Sequence, residues 1–255
     1  MSKRMVLTML AAAALPAGMF AQGGRAGAPA APPTARAAAP IDLTGYWVSL
    51  IVDEWRFRVS PQKGDLPYMP INPEARRIAQ AWDPDKDEAS GNVCKAYGAV
   101  GVMQRPGRLH ITWQDENTLK MDLDAGMQSR IFRFGAPAAP AGEPTWQGNS
   151  VAQWDVPGAG RGRGAPVAPP RNGTLRVTTT NMKSGYLRKN GVPYSEKAVQ
   201  TEYFNRIAGA QGEIYFAVTA MVDDPVYLNQ PFVRTYQFKQ QPDNNGWDPT
   251  PCLPR

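Results

Sequence analysis

Histidine is nearly absent from this chain: His110 is the only one, and Cys94 and Cys252 are the only cysteines. A zinc site takes three or four protein ligands drawn mainly from those residue types, so no zinc centre is expected. A calcium loop of the EF-hand kind is missing too. Asp83, Asp85 and Asp87 match its first three oxygen ligands, but Glu88 stands where the loop needs glycine and Cys94 where it needs the closing glutamate. These carboxylates leave open only a looser surface calcium site. Ser150 lies in Gly148-Asn149-Ser150-Val151-Ala152, which lacks the second glycine of a nucleophile elbow, and any Ser-His-acid triad has only His110 to use. No glycine-rich phosphate loop precedes a helix, so neither nucleotide motif applies and no cofactor is expected. Beyond residue 21, no apolar run approaches the roughly 20 residues of a membrane-spanning helix.

The folded part also lacks a positive excess. The whole chain carries a formal charge of +6, but Lys3, Arg4, Arg25 and Arg36 lie near the N-terminus, and Arg161, Arg163 and Arg171 lie in a Gly/Pro-rich stretch. Without these seven the charge becomes −1. A face able to neutralise several phosphates is therefore not expected, and nucleic acid is not an expected partner.

What is present begins with an address. Lys3 and Arg4 precede an alanine-rich apolar stretch from Met5 to Leu15, and small residues run up to Ala21. This is the pattern of a cleaved export signal over 1–21, which places the mature chain in the periplasm or outside the cell. Residues 22–40 are Ala, Pro and Gly with little to bury, and read as a disordered tether. Residues 41–255 then form one domain, with 157–173 a flexible Gly/Pro/Arg insert. In an exported chain the lone pair Cys94 and Cys252 suggests a disulfide. It closes nearly the whole folded part, worth about 4–5 kcal/mol in chain-entropy models.

Alternation of apolar and polar residues dominates the rest. Tyr46 to Val52 reads as a first strand, with a possible continuation through Trp55-Arg56-Phe57-Arg58. Asn72 to Trp82 reads as the one helix, with Asn72 as N-cap, Pro73 in the first position and Pro84 as the stop. Residues 108–134 divide into three strands around the turn groups Asp115-Glu116-Asn117 and Asp124-Ala125-Gly126. Further strands are expected near 149–155, 174–182, 198–207, 213–222 and 232–240. No βαβ rhythm appears, so the expected fold is all-β: an antiparallel barrel with one peripheral helix.

Residues 42–47 read DLTGYW, and Gly45-x-Trp47 on a first strand resembles the signature of the lipocalin-like (calycin) barrels. The resemblance implies that Trp47 plugs the closed end and packs on a basic side chain from the last strand, Arg234 or Lys239. A longer resemblance runs through Trp146-Gln147-Gly148-Asn149-Ser150, Trp154, Thr174-Leu175-Arg176-Val177-Thr178-Thr179-Thr180, Gly191-Val192-Pro193-Tyr194-Ser195, Glu202-Tyr203-Phe204-Asn205-Arg206, Asp224-Pro225 and Cys252. It is similar to a group of secreted bacterial proteins of lipocalin-like type, mostly without assigned function. Many members of that group carry histidine where this chain has Tyr194.

Residues 183–196, KSGYLRKNGVPYSE, bend at Asn190-Gly191 with Tyr186, Arg188, Lys189 and Tyr194 around the bend. The span is long for a simple hairpin, and reads either as a flap over a barrel mouth or as a surface loop. On strand 198–207, Gln200, Glu202, Phe204 and Arg206 share a face, and Arg176 on a neighbouring strand is a candidate partner for the charges. The leading expectation is a small-ligand-binding barrel whose polar or anionic organic ligand meets Trp113, Arg130, Tyr186, Arg188, Tyr194 and Glu202. A cofactor-free lyase, hydratase or isomerase is the alternative, with Glu202 or His110 moving a proton and Tyr194 or Tyr186 stabilising an oxyanion. A structural envelope protein without a pocket is the third.

Overall fold

The structure, a computed structural model, describes residues 32–59, 61–135, 142–157 and 172–254. The expected signal segment, most of the tether and nearly all of the 157–173 insert lie outside the described residues. In chain order the elements are β1 (Gly45–Leu50), α1 (Trp55–Val59), α2 (Pro73–Ala81), α3 (Pro84–Ala89), a 3₁₀ turn (Val93–Tyr97) and α4 (Ala99–Val102). Then follow β2 (Arg108–Asp115), β3 (Thr118–Leu123), β4 (Gln128–Phe134), β5 (Asn149–Asp155) and β6 (Thr174–Thr180). The chain ends with β7 (Gly185–Arg188), β8 (Val192–Tyr194), β9 (Val199–Ala208), β10 (Ile214–Asp223) and β11 (Phe232–Gln241).

Nine strands close a barrel in the order β1-β11-β10-β9-β6-β5-β4-β3-β2, while β7 and β8 pair with each other alone. The sequence leads one to expect antiparallel neighbours throughout. The structure departs at one place: β4 and β5 run parallel, with Phe132 opposite Ser150. A ring with an odd number of strands cannot alternate direction all the way round, so one parallel pair is a topological requirement of nine strands. A second departure concerns helices. Besides α2, the described residues hold three further α-helices and a 3₁₀ turn, and Trp55–Val59 is helical rather than a continuation of β1. The amides of Phe57 and Arg58 both bond the Glu54 carbonyl, which closes a turn before a strand can extend. The helix α2 follows its expected signals: the Asn72 side chain accepts from the Ala75 amide at 2.9 Å, and Ala75 and Ala79 are buried one turn apart. Pro84 ends α2 and also opens α3, whose N-cap is Asp83.

Inward residues at alternate positions fill the barrel. Trp47, Ile111, Leu119, Phe132, Leu175, Phe204, Phe216 and Phe238 form its lower core. Below them Trp113, Phe134 and Trp154 stand in a row, with ring centroids 5.7 and 5.2 Å apart. Residues at the end of the expected tether lie against this end. Trp154 Nε1 donates to the Ala35 carbonyl at 2.8 Å, and the Arg36 amide donates to the Glu116 carbonyl at 3.0 Å. At the upper end sits a cap built from α2, α4, β7 and β8, with its own core of Ala75, Ala79, Val100, Leu187, Val192 and Tyr194. Val102 and Met103 project from the cap into the barrel core. The disulfide is present: Cys94 and Cys252 are bonded across a Cα separation of 5.3 Å, which ties the C-terminus to the cap.

The bend at 183–196 is neither an exposed flap nor a surface loop. It is a buried hairpin of the cap, with Arg188, Asn190 and Tyr194 all inside. The Asn190 side chain donates to the carbonyls of Gln62 and Asp65, both at 3.0 Å. Gly191 has φ +81°, and a Cβ there would meet the Trp82 ring at 2.2 Å, so the bend requires glycine for both conformation and space.

Candidate functional site

Halfway up the barrel the core changes character. Arg130 on β4 and Glu202 on β9 point inward and are fully buried. They form a two-pronged pair, Nη1 to Oε1 at 2.8 Å and Nη2 to Oε2 at 2.5 Å. Nη2 also lies 3.4 Å from the Thr179 hydroxyl, which is 2.8 Å from that of Ser150. The expected link from Glu202 to Arg176 does not form. Arg176 is outward, one residue from the inward-facing Val177, and pairs with Asp155 at 2.8 Å. With both carboxylate oxygens taken by Arg130, Glu202 is placed as a charge partner.

The other expected site residues are scattered. His110 lies on the outside of the barrel, stacked on Tyr46 with centroids 4.0 Å apart and edge-on to Trp247. Its cross-strand neighbour is Asp122. Trp113 is at the lower end, away from the cap. Trp47 is buried, but its ring meets Phe216 edge-on at 4.6 Å and its Nε1 donates to the Leu43 carbonyl. Neither basic residue suggested for it is there: Arg234 lies over Phe232 at 4.4 Å and Lys239 near Tyr215 at 5.7 Å. Tyr186 donates to Asp87, which also receives Trp82 Nε1 at 2.9 Å and pairs with Lys95 at 3.4 Å. Tyr194 is buried in the cap, its hydroxyl unpartnered among the described residues, and burial raises its phenol pKa. The paired blocks Gly191–Ser195 and Asp224-Pro225 meet as a clasp, in which the Ser195 hydroxyl and amide both donate to the Asp224 carboxylate at 2.7 Å.

Of the expected set, the structure brings Arg188 into a group that the sequence did not announce. Arg58 from α1, Arg105 after α4, Arg188 from β7 and Arg234 from β11 gather at the junction of barrel and cap around the buried ring of Tyr236. Arg58 lies 5.4 Å over that ring. Burial, the larger cause, together with neighbouring positive charge lowers the pKa values of Arg105 and Arg188 to about 10; the neighbours are Arg58 for the first and Arg234 for the second. The carboxylates do not match these guanidinium groups, and Asp65, which faces Arg188, is already paired with Arg56 at 2.8 Å. Glu54 is shared, Oε1 at 3.4 Å from Arg188 Nη2 and Oε2 at 2.8 Å from Arg234 Nε, the latter poorly aligned for a hydrogen bond. Arg58 donates to the carbonyls of Leu50 and Gln104 and reaches the exposed Asp53 only at 3.9 Å. Among the described residues Arg105 has no ion pair, and its Nε and Nη2 have no hydrogen-bond partner. Arg58 Nη2 and Arg188 Nη1 are likewise buried without partners.

Sequence reasoning missed Arg58, Arg105 and Glu54, and the resemblance implied Arg234 or Lys239 as the partner of Trp47. A signal existed for two of them: Arg58 follows Phe57 and sits in Trp55-Arg56-Phe57-Arg58, and Arg234 alternates with Phe232 and Tyr236 on an otherwise inward face. Arg105, before Pro106, carries no such mark. Apolar side chains pack the lower part of the expected cup, and concavities lie outside the barrel. One of about 470 Å³ is lined by Val59, Pro61, Lys63, Trp82, Pro84 and Lys189. Another of about 450 Å³ lies beside Arg36, Asp42 and Trp113. Among the described residues no helix is long and apolar enough to cross a membrane. The chain matches no family model, no curated protein and no solved structure.

Proposed function

We propose that this chain is an exported, lipocalin-like protein that binds a small organic anion where Arg58, Arg105, Arg188 and Arg234 meet. The observation that carries the reading is the shortage of negative charge at that junction. A buried charge is costly unless paired and hydrogen-bonded, and among the described residues Arg105 has no ion pair and leaves Nε and Nη2 without acceptors. An anion with two or more oxygens would supply the missing acceptors in charge-assisted geometry. The N-terminal pattern and the disulfide support an extracytoplasmic setting. The lyase or isomerase reading has less support, because Glu202 is committed to Arg130 and His110 lies on the exterior. The filled lower barrel favours a second reading, a structural envelope protein.

The test is thermal unfolding of the mature chain with acetate, citrate, 3-phenylpropanoate or inorganic phosphate, each against chloride at equal ionic strength. At least one organic anion is expected to stabilise by about 2–3 kcal/mol near a hundredfold excess over its Kd, and Arg105→Gln to remove most of that gain. No gain beyond chloride for any anion would favour the structural reading. Native mass spectrometry of protein taken from its own cell envelope would then give the ligand's mass.

A further inference from the structure

One short segment, residues 51–59, lies across the arginine junction and meets Arg188 in two ways. The Phe57 ring covers the guanidinium face, its centroid 4.2 Å from Cζ. The Glu54 carboxylate meets the guanidinium edge and reaches on to Arg234. The rest of the segment is held by its arginines, Arg58 through the Leu50 and Gln104 carbonyls and Arg56 through Asp65 at 2.8 Å, and by little apolar burial. Val52, Trp55 and Val59 are exposed, and only Arg58 is fully buried. Glu54 itself has φ +50°, a left-handed conformation that disfavours a long side chain such as glutamate and persists where surroundings impose it. Few buried apolar contacts and a strained backbone mark a segment of low local stability.

We infer that Glu54 and Phe57 are a built-in stand-in for the ligand, and that the ligand is a small aryl carboxylate. Its ring takes the place of Phe57 over Arg188, and its carboxylate takes the place of Glu54 beside Arg188 and Arg234 and supplies acceptors to the open Arg105 donors, which Glu54 does not reach. The inference rests on the reading of the junction as an anion site. The chemistry follows from the two surfaces of one guanidinium. Its face attracts an aromatic ring, and its edge pairs with a carboxylate. Phosphate or an alkyl carboxylate satisfies the edge and leaves the face bare. Because the segment competes for the same groups, the apparent affinity is reduced by the fraction of molecules in which it is seated.

Titration calorimetry on the mature chain decides the matter, with 3-phenylpropanoate, its saturated analogue 3-cyclohexylpropanoate, and inorganic phosphate at one ionic strength. Glu54→Gln keeps the side-chain shape and removes the competing charge, so it should bind 3-phenylpropanoate about tenfold more tightly than the wild type. Phe57→Leu keeps Glu54 and most of the bulk, and should tighten binding by about threefold. It decides the question if Glu54→Gln does not fold. The saturated analogue should bind about fivefold more weakly than the aryl compound. Equal or weaker binding by both variants, or equal binding of the two acids, overturns the stand-in. If phosphate binds the wild type through Arg188 while 3-phenylpropanoate does not, the anion site survives and the stand-in falls. If no probe binds the wild type or either variant, both fall.

Discussion

At the lower end of the barrel Trp47 meets Phe216 edge-on at 4.6 Å, Phe216 stacks on Phe238 at 4.8 Å, and Phe132 lies 5.7 Å from Phe204. At the upper end the same strands turn other residues inward: β4 supplies Arg130, β9 Glu202 and β11 Arg234. The lower end buries apolar area, which stabilises in proportion to the surface removed from water and asks for no particular partner. The upper end buries guanidinium groups, each of which must find acceptors or remain a standing cost. One barrel wall thus carries two kinds of interior, and only the second has chemistry left over. The Arg130–Glu202 pair marks the boundary: its charges match one to one, with Nε unpartnered among the described residues, whereas the arginines above it outnumber the carboxylates that reach them.

That contrast can be broken or sharpened by substitution. Phe216→Ala should cost about 3–5 kcal/mol in urea unfolding, as a large buried side chain with no room to relax. Arg130→Met should cost a comparable amount, about 3–5 kcal/mol, by leaving Glu202 buried and alone, while Arg130→Met combined with Glu202→Leu should recover most of it. Failure of the double variant to recover would mean that the pair does more than satisfy itself. Reducing the Cys94–Cys252 bond should remove about 2–5 kcal/mol, read as a fall in Tm, because it holds the cap and C-terminus together. His110→Ala should change stability by about 1 kcal/mol or less and leave anion binding intact, since the imidazole lies on the outside.

The strands were legible because their physics is local. Alternation along 108–134, 174–182 and 213–222 reports which face is buried, and the turn groups between them report where the chain reverses. The helix α2 was legible from Asn72 and Pro73 for the same reason. The parallel β4–β5 pair was not, since it follows from the number of strands in a closed ring rather than from either strand. The site was only half legible. Glu202 and Arg130 could be named because both sit on clear strands, but their pairing spans 72 residues. Arg188 was named for its place in a bend, and the structure gives it a different role, beneath Phe57 and beside Glu54. Arg58 was marked by the alternation of Trp55–Val59, but its place was not, because that stretch reads as a strand and folds as a helix just after Glu54. Arg105 was hidden because nothing around it in the sequence distinguishes a buried arginine from an exposed one.

The central claim is that the junction is short of negative charge, and the most direct measurement is the unfolding free energy of Arg105→Met beside the wild type, with and without an organic anion. Without anion the variant should match the wild type or exceed it by about 1 kcal/mol, because an unpaired buried charge has been replaced by an apolar chain of similar length. With anion only the wild type should gain. A variant destabilised by more than about 2 kcal/mol, beside a wild type that no organic anion stabilises, would show that Arg105 is already satisfied and that the junction is a finished core.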